Sequence, residues 1–419
     1  MENNCTKCNG KDYVAVILKV VDYCNFVCDF CRYPNNENHS AMAFSTYKAI
    51  VEKVCDYNLA HGCNHIQIIY HGGEPLLWNY QNYVDAIALQ KELTAKYPSL
   101  RFKNNIQTNG SLLNQQWIDF FKANNFNIGI SIDGPDEINF HKNALGNHVV
   151  LDNIRKLSQE GCKFGILSVI TNEHAGWADR YYDFLVENNI HSVGLCYCVY
   201  DEDKHITVNN NILTEFLQKF FIRYFYGNHK LNVREFESVI KKSLGAPSKL
   251  CTFAMRHSCG NYFSIRPNGD VQFCDPFTLG KPAVGNILTE TFNDIKNKPD
   301  VLSMINRARI GVRNTCDQCE IRNICGGGCF RHTIDDGSNV FCETFKAVYP
   351  YIEKIIHAYK EKDNPGCIHP SRLVNLSFKT FDDEDGHKIG VQEDINIDTG
   401  EIRQIYKDFD SGEIDYVGY

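Results

Sequence analysis

The chain has 419 residues, with 43 Lys+Arg against 51 Asp+Glu for a net charge of −8, and 19 cysteines. That length suits a large α/β domain plus a smaller unit, and the mild acidity argues against nonspecific nucleic-acid or anionic-membrane binding. No apolar run approaches the roughly 18–20 residues that span a bilayer, and the N-terminus lacks the order of a signal peptide. A cytoplasmic protein is expected, and nineteen cysteines in a reducing setting point to metal ligation rather than a disulfide framework.

From the N-terminus, β-branched or apolar runs predict strands at Val14–Val21, Ile66–Tyr70, Phe102–Gln107, Ile128–Ile132, Phe164–Ile170 and Ser192–Cys196. Amphipathic stretches with apolar residues at three- and four-residue steps fall between them, at Ser45–Asn58, Tyr80–Lys96, Asn114–Asn124, Leu151–Glu160 and Trp177–Asn188. Strand–helix alternation implies a parallel sheet with right-handed crossovers, and six repeats make a partial (β/α)6 TIM-like barrel.

The strand ends carry the informative residues. Cys24, Cys28 and Cys31 follow the first strand with x3 and x2 spacings, and His71-Gly72-Gly73-Glu74-Pro75 follows the second. Thr108-Asn109-Gly110 and Asp133-Gly134-Pro135 follow the third and fourth. Ligands of parallel α/β folds bind at the carboxyl ends of strands, so these turns share one rim. A structural zinc site wants four ligands. Three cysteines, with His39 in a polar turn nearby, suit instead a four-iron cluster that keeps one iron open for a small molecule.

A second group, Cys251, Cys259, Cys274, Cys316, Cys319, Cys325, Cys329 and Cys342, marks a small Cys-rich domain, for which two zinc ribbons are the chemical alternative. Of the other cysteines, Cys5-x2-Cys8 is unassigned, and most sit in apolar or helical patterns as buried small hydrophobes or free thiols. After Cys342 an amphipathic helix, Phe345–Lys362, ends at Asn364-Pro365-Gly366. Alternating runs at Leu373–Phe378, Lys388–Ile397, Glu401–Phe409 and Ile414–Tyr419, parted by turn signals, predict an acidic β-meander. The expected domains are the barrel at 11–225, a linker at 226–250, the Cys-rich domain at 251–345 and a helix with β-rich tail at 346–419.

Cys24-x3-Cys28-x2-Cys31, with the aromatic Phe30 before its last cysteine, resembles the radical S-adenosylmethionine (radical SAM) superfamily. Gly72-Gly73-Glu74-Pro75 is similar to the strand end that binds the methionyl amino group in that family. Ser131-Ile132-Asp133-Gly134 is similar to its ribose-contacting segment, and Asn109 stands on the same rim. The later cysteines resemble the SPASM extension of peptide-modifying members, so the likeness runs over about residues 11–345.

By this resemblance, Cys24, Cys28 and Cys31 hold the S-adenosylmethionine-binding cluster. Cys259, Cys274 and Cys329 hold a first auxiliary cluster, with Cys251 its fourth ligand or an open iron in its place. Cys316, Cys319, Cys325 and Cys342 hold a second, making three [4Fe-4S] clusters. Asp275 matches the base of anaerobic sulfatase-maturating enzymes, its alternative being a turn residue before Pro276. The sequence departs from the family after Pro135, where Ile138–Asn143 lacks the usual His-Asp pair and Arg.

The resemblance implies a 5′-deoxyadenosyl radical that abstracts hydrogen from a ribosomally made peptide, giving a carbon–carbon or thioether crosslink. The second reading is oxidation of Cys or Ser to formylglycine, and the third a non-catalytic iron–sulfur or zinc scaffold. Expected partners are a precursor peptide or protein and a low-potential electron donor of flavodoxin or ferredoxin type, with no nucleic acid and no membrane. No N-terminal leader-binding unit is expected before Cys24, and the meander offers strand edges for peptide addition.

Overall fold

The computed structural model describes residues 12–28, 31, 39–139, 147–199, 207–248, 250–253, 259–274, 282–310, 316–334 and 337–361, together with four strands between 373 and 418. Two compact units divide the chain. The first comprises Met1–Glu173, Arg180–Val208 and Ser258–Gly311; the second comprises His174–Asp179, Asn209–His257 and Val312–Tyr419.

In the first unit the expected alternation is present: β1 (Ala15–Val21), α1 (Phe44–Ala60), β2 (His65–Gly72), α2 (Tyr80–Lys96), β3 (Arg101–Thr108), α3 (Gln115–Ala123), β4 (Asn127–Ser131), α4 (Asn147–Gln159), β5 (Phe164–Ile170), α5 (Ala178–Glu187, beginning in the second unit) and β6 (Ser192–Tyr197). β1 to β6 lie side by side in chain order and pair in parallel. Asn79 and Asn114 start α2 and α3 by accepting the backbone N–H of Gln81 (2.9 Å) and Trp117 (3.1 Å).

Alternation along β2 sorts the two faces of the sheet. Ile66, Ile68 and Tyr70 are buried, whereas Gln67, Ile69 and His71 are partly open. Tyr70 packs on Tyr47 of α1 and Tyr83 of α2, so the buried set faces the helices and the other set faces the barrel lumen. Gln90 of α2 joins Tyr47, Tyr70 and Asn104 in one buried hydrogen-bonded network under the helix layer.

The sheet continues past β1. A two-residue strand, β7 (Asn232–Val233), belongs to the second unit. β8 (Tyr262–Ile265) then lies parallel to β1, and β9 (Asp270–Phe273) and β10 (Gly285–Asn286) follow antiparallel.

The second unit holds α6 (Asn210–Tyr226) and α7 (Arg234–Ser243), while α8 (Phe292–Lys296) and α9 (Pro299–Ile310) belong to the first. Segment 226–250, expected as a linker, thus carries a helix. α7 buries Phe236, Val239 and Ile240 at helical spacing, a pattern too short to stand out beside the charges of Arg234, Glu235, Glu237, Lys241 and Lys242. The second unit continues with α10 (Arg322–Cys325), α11 (Cys342–Glu361) and an antiparallel meander of β11 (Leu373–Asp382), β12 (Lys388–Asn396), β13 (Ile402–Asp408) and β14 (Ile414–Gly418). Among the described residues no helix is long and apolar enough to cross a membrane.

Candidate functional site

The site is built where β1 to β5 end. Gly72 and Gly73 let β2 press against the start of the cysteine loop. A Cβ on Gly73 would lie 2.0 Å from the Tyr23 carbonyl oxygen, and one on Gly72 would lie 2.2 Å from that of Val21. The backbones are joined there by Gly73 N–H to Val21 O and Glu74 N–H to Tyr23 O, both 3.0 Å. The glycines are required by this approach, a contact between distant segments that spacing along the chain cannot reveal.

Glu74 is fully buried. Its carboxylate accepts from Leu76 N (2.9 Å), Thr108 Oγ1 (2.7 Å) and Asn109 N (2.7 Å), which fastens the end of β2 to that of β3. Burial pushes its pKa up to about 7, against the pull of those three donors. Asn109 then reaches the cysteine loop: its Nδ2 donates to Asn25 Oδ1 (2.9 Å) and to Cys24 Sγ (3.7 Å). Cys24 Sγ also accepts Phe26 N–H at 3.3 Å.

Asp133, also fully buried, makes the matching link on the other side. Its carboxylate accepts Val169 N–H of β5 at 2.7 Å, and its own N–H donates to Asn139 Oδ1 at 2.9 Å. Ser131 Oγ accepts from Gln107 Nε2 (2.8 Å), leaving the hydroxyl hydrogen for a ligand. Glu74 and Asp133 therefore act on the rim through the backbone they hold, and the groups presented above it are Asn109, Ser131 and the glycine-rich turn.

Cys24, Cys28 and Cys31 are all free thiols, and Cys31 N–H bonds to Cys28 O at 3.0 Å. Burial raises the Cys24 thiol to about 11, with smaller contributions from the nearby Glu74 and Cys31. Among the described residues no three His, Cys, Asp or Glu side chains converge as a single metal ion requires. Ligands of a four-iron cluster bind separate irons and need no common point, and the N–H···S bonds at Cys24 are the kind that tune such clusters. Phe30 lies outside the described residues. His39 stacks on Tyr23, ring centroids 4.8 Å apart.

Cys259 and Cys274 flank β8 and β9 in the first unit. Cys274 carries a positive φ of 64° and donates its N–H to Tyr262 O (3.1 Å). Asp275 lies outside the described residues. In the second unit, burial pushes the Cys325 thiol up to about 12, and Cys342, Cys316 and Cys319 add to the rise as neighbouring charges. The other three thiols thus lie near enough to Cys325 for their charge to be felt there. Gly326, Gly327 and Gly328 all take positive φ just after it and carry the chain to Cys329. Burial also pushes the Cys251 thiol up; its charged neighbours are Arg234 and Glu235.

Cys63 is fully buried, as one of its two readings expects, and is disulfide-bonded rather than a free thiol. The spacing of Cys63 to any other cysteine carries no signal for such a pair.

The Radical SAM superfamily model matches residues 18–185, and the SPASM model, an iron–sulfur cluster-binding domain, matches residues 257–320. The chain is a radical SAM enzyme with a C-terminal SPASM domain. Its cofactors are S-adenosylmethionine and [4Fe-4S] clusters.

Over 356 residues it is 26% identical to the cysteine-type anaerobic sulfatase-maturating enzyme of Clostridium perfringens, covering 78% of this chain and 93% of that relative. It is 25% identical over 383 residues to the serine-type enzyme of Bacteroides thetaiotaomicron, covering 82% and 91%. In fold, this radical SAM chain resembles native anSMEcpe with bound AdoMet and Cp18Cys peptide, with a TM-score of 0.71 at 23% identity over 82% of this chain and 98% of that one. Streptococcus suis SuiB bound to its precursor peptide SuiA is more distant, at 0.54 and 17% over 76% and 72%.

Proposed function

We propose that this enzyme oxidises a Cys or Ser side chain of a protein substrate to formylglycine, in the manner of the anaerobic sulfatase-maturating enzymes. The observation that carries the reading is the extent of the likeness: it runs through barrel and SPASM segments alike and spans 93% of the C. perfringens relative. Crosslinking of a ribosomal peptide, the leading expectation from the sequence, has less support, because the SuiB likeness is lower in both TM-score and coverage.

Cys24, Cys28 and Cys31 are proposed to hold the cluster that chelates S-adenosylmethionine. Cys259, Cys274 and Cys329 are proposed to hold the first auxiliary cluster, and Cys316, Cys319, Cys325 and Cys342 the second. Bound together, the first cluster and S-adenosylmethionine supply a 5′-deoxyadenosyl radical. Gly72, Gly73, Asn109 and Ser131 orient S-adenosylmethionine over the rim, while Glu74 and Asp133 keep the strand ends from shifting under it.

Bound S-adenosylmethionine would supply the acceptor for one hydrogen atom from the substrate Cβ, and an oxidised cluster would supply the acceptor for one further electron, while one proton leaves the substrate thiol or hydroxyl. Asp275 is proposed to accept that proton. Serine yields the aldehyde directly, and the thioaldehyde from cysteine exchanges sulfur for oxygen with water.

The test is anaerobic incubation of the reconstituted enzyme with S-adenosylmethionine, a low-potential reductant and sulfatase-derived peptides carrying Cys or Ser. A product that reacts with a hydrazine probe at the target residue supports the reading. A product that has lost hydrogen, carries no carbonyl and stays intramolecularly linked would replace it with crosslinking.

A further inference from the structure

Burial alternates along the strands that end at the rim, and the alternation picks out a row of lumen residues on β3 and β4. Asn104, Ile106 and Thr108 of β3 and Ile128 and Ile130 of β4 are buried, whereas Asn105, Gln107, Gly129 and Ser131 are partly open on the other face. Asn105 pairs in register with Ile69, which places this second set on the lumen side. Gln107 stands directly opposite Gly129, and Ser131 follows two residues further on, on the same face at the end of β4.

The Gln107 side chain runs diagonally across Gly129 to reach Ser131, donating from Nε2 to its Oγ at 2.8 Å. A diagonal neighbour across a sheet is within reach of a long side chain, but here the path passes over the residue in between. A Cβ on Gly129 would lie 2.2 Å from Gln107 Oε1 and 3.1 Å from its Cδ, so the crossing needs residue 129 to be bare. A serine hydroxyl has one donor and two acceptor lone pairs. With one lone pair taken by the amide, its hydrogen turns away from Nε2, and among the described residues no acceptor meets that hydrogen. Ser131 is half-buried, so the hydrogen is open to a ligand on the rim.

We propose that Gln107 is a positioning residue for S-adenosylmethionine: laid across Gly129, it holds the Ser131 hydroxyl as a hydrogen-bond donor aimed at the cofactor. This rests on the reading that Ser131 orients S-adenosylmethionine and goes further, because it gives Gln107 and Gly129 a part in that binding without either touching the ligand. An unpinned hydroxyl turns among staggered positions and serves as donor or acceptor. Pinned by the amide, it offers a donor alone, which fits the oxygen acceptors of a ribose. Gly129 has no positive φ that would call for glycine, and beyond the Gln107 amide the nearest atom to a Cβ there is Ile106 O at 3.4 Å, an ordinary contact. The bare position is therefore needed by the crossing side chain and not by the fold of the strand.

The test measures the dissociation constant of S-adenosylmethionine by equilibrium dialysis on cluster-loaded enzyme, without reductant or peptide, so that no turnover enters. Gly129→Ala keeps both polar groups but pushes the amide off its path. Its Tm should hold or rise, as for alanine at an unstrained glycine position, while binding weakens about three- to fivefold, the scale of one lost hydrogen bond. Gln107→Met, which keeps the length without the amide, should weaken binding by the same factor, and combining the two should add nothing. Ser131→Ala should weaken binding about tenfold, and Gln107→Met on that background should change nothing further. Iron content and Tm report that each variant is folded; should Gln107→Met fail on either, Gln107→Ala takes its place in both cycles. Wild-type affinity in Gly129→Ala and the Gln107 variant, or factors that multiply in the double variants, overturns the inference and leaves Ser131 in its role. Wild-type affinity in Ser131→Ala overturns that role, and the inference with it.

Discussion

Gly73→Ala is the most informative single change at the rim. The added Cβ would sit 2.0 Å from the Tyr23 carbonyl oxygen, 2.3 Å from its carbon and 2.9 Å from Cys24 N, all backbone atoms that no rotamer change can clear. Relief requires the two segments to part by about 1 Å, enough to forfeit close contact and good hydrogen-bond geometry. The bonds from Gly73 N to Val21 O and from Glu74 N to Tyr23 O would go, at about 1 kcal/mol each. Overpacking adds about 1–3 kcal/mol. Since 1.4 kcal/mol is a factor of ten, the properly placed cysteine loop should become at least about a hundredfold rarer. Labile iron and sulfide after anaerobic reconstitution, and the rate of 5′-deoxyadenosine formation, would report the loss. Gly161→Ala is the control: it has a φ of +66° but open space around a Cβ, so it should cost only about 1 kcal/mol and leave both readouts near wild type. Full iron and a wild-type rate in Gly73→Ala would show that the close approach is not what seats the loop.

Replacing Cys24, Cys28 and Cys31 together with Ala should abolish 5′-deoxyadenosine formation and remove about a third of the cluster iron, leaving the auxiliary clusters; stoichiometric zinc without labile sulfide in the wild type would contradict the ligand assignment. Asp275→Asn should keep cluster content and uncoupled cleavage of S-adenosylmethionine while product falls; full product would make the residue a turn former. Deleting residues 367–419 should weaken peptide binding, measured by anisotropy, and spare cluster assembly, because β11 and β14 are the edge strands of a separate sheet; unchanged binding would make the meander a cap.

Much of this architecture is legible in the chain because its periodicities are local. The runs at 164–170 and 192–196 match β5 and β6 almost residue for residue, and the four alternating runs after residue 372 match the four strands of the meander. The three-cysteine loop declares itself by spacing. Features that depend on contact between distant segments do not. Glu74 and Asp133 match a family motif, yet only the structure shows their carboxylates bonded to the next strand end. Lys19 is one cation in an apolar run, and its position on the lumen face emerges only from its register with His71. The helix within 226–250 was hidden by its charges, because only its three buried apolar residues carry the period.

The central claim is that hydrogen leaves the β-carbon of a substrate Cys or Ser and a carbonyl replaces it. A peptide deuterated at that β-carbon tests this directly, with mass spectrometry of both products of one anaerobic turnover. The account predicts one deuterium in 5′-deoxyadenosine for each hydrazine-reactive carbonyl formed in the peptide. Undeuterated 5′-deoxyadenosine, or deuterium transfer that ends in a crosslink without a carbonyl, would contradict it.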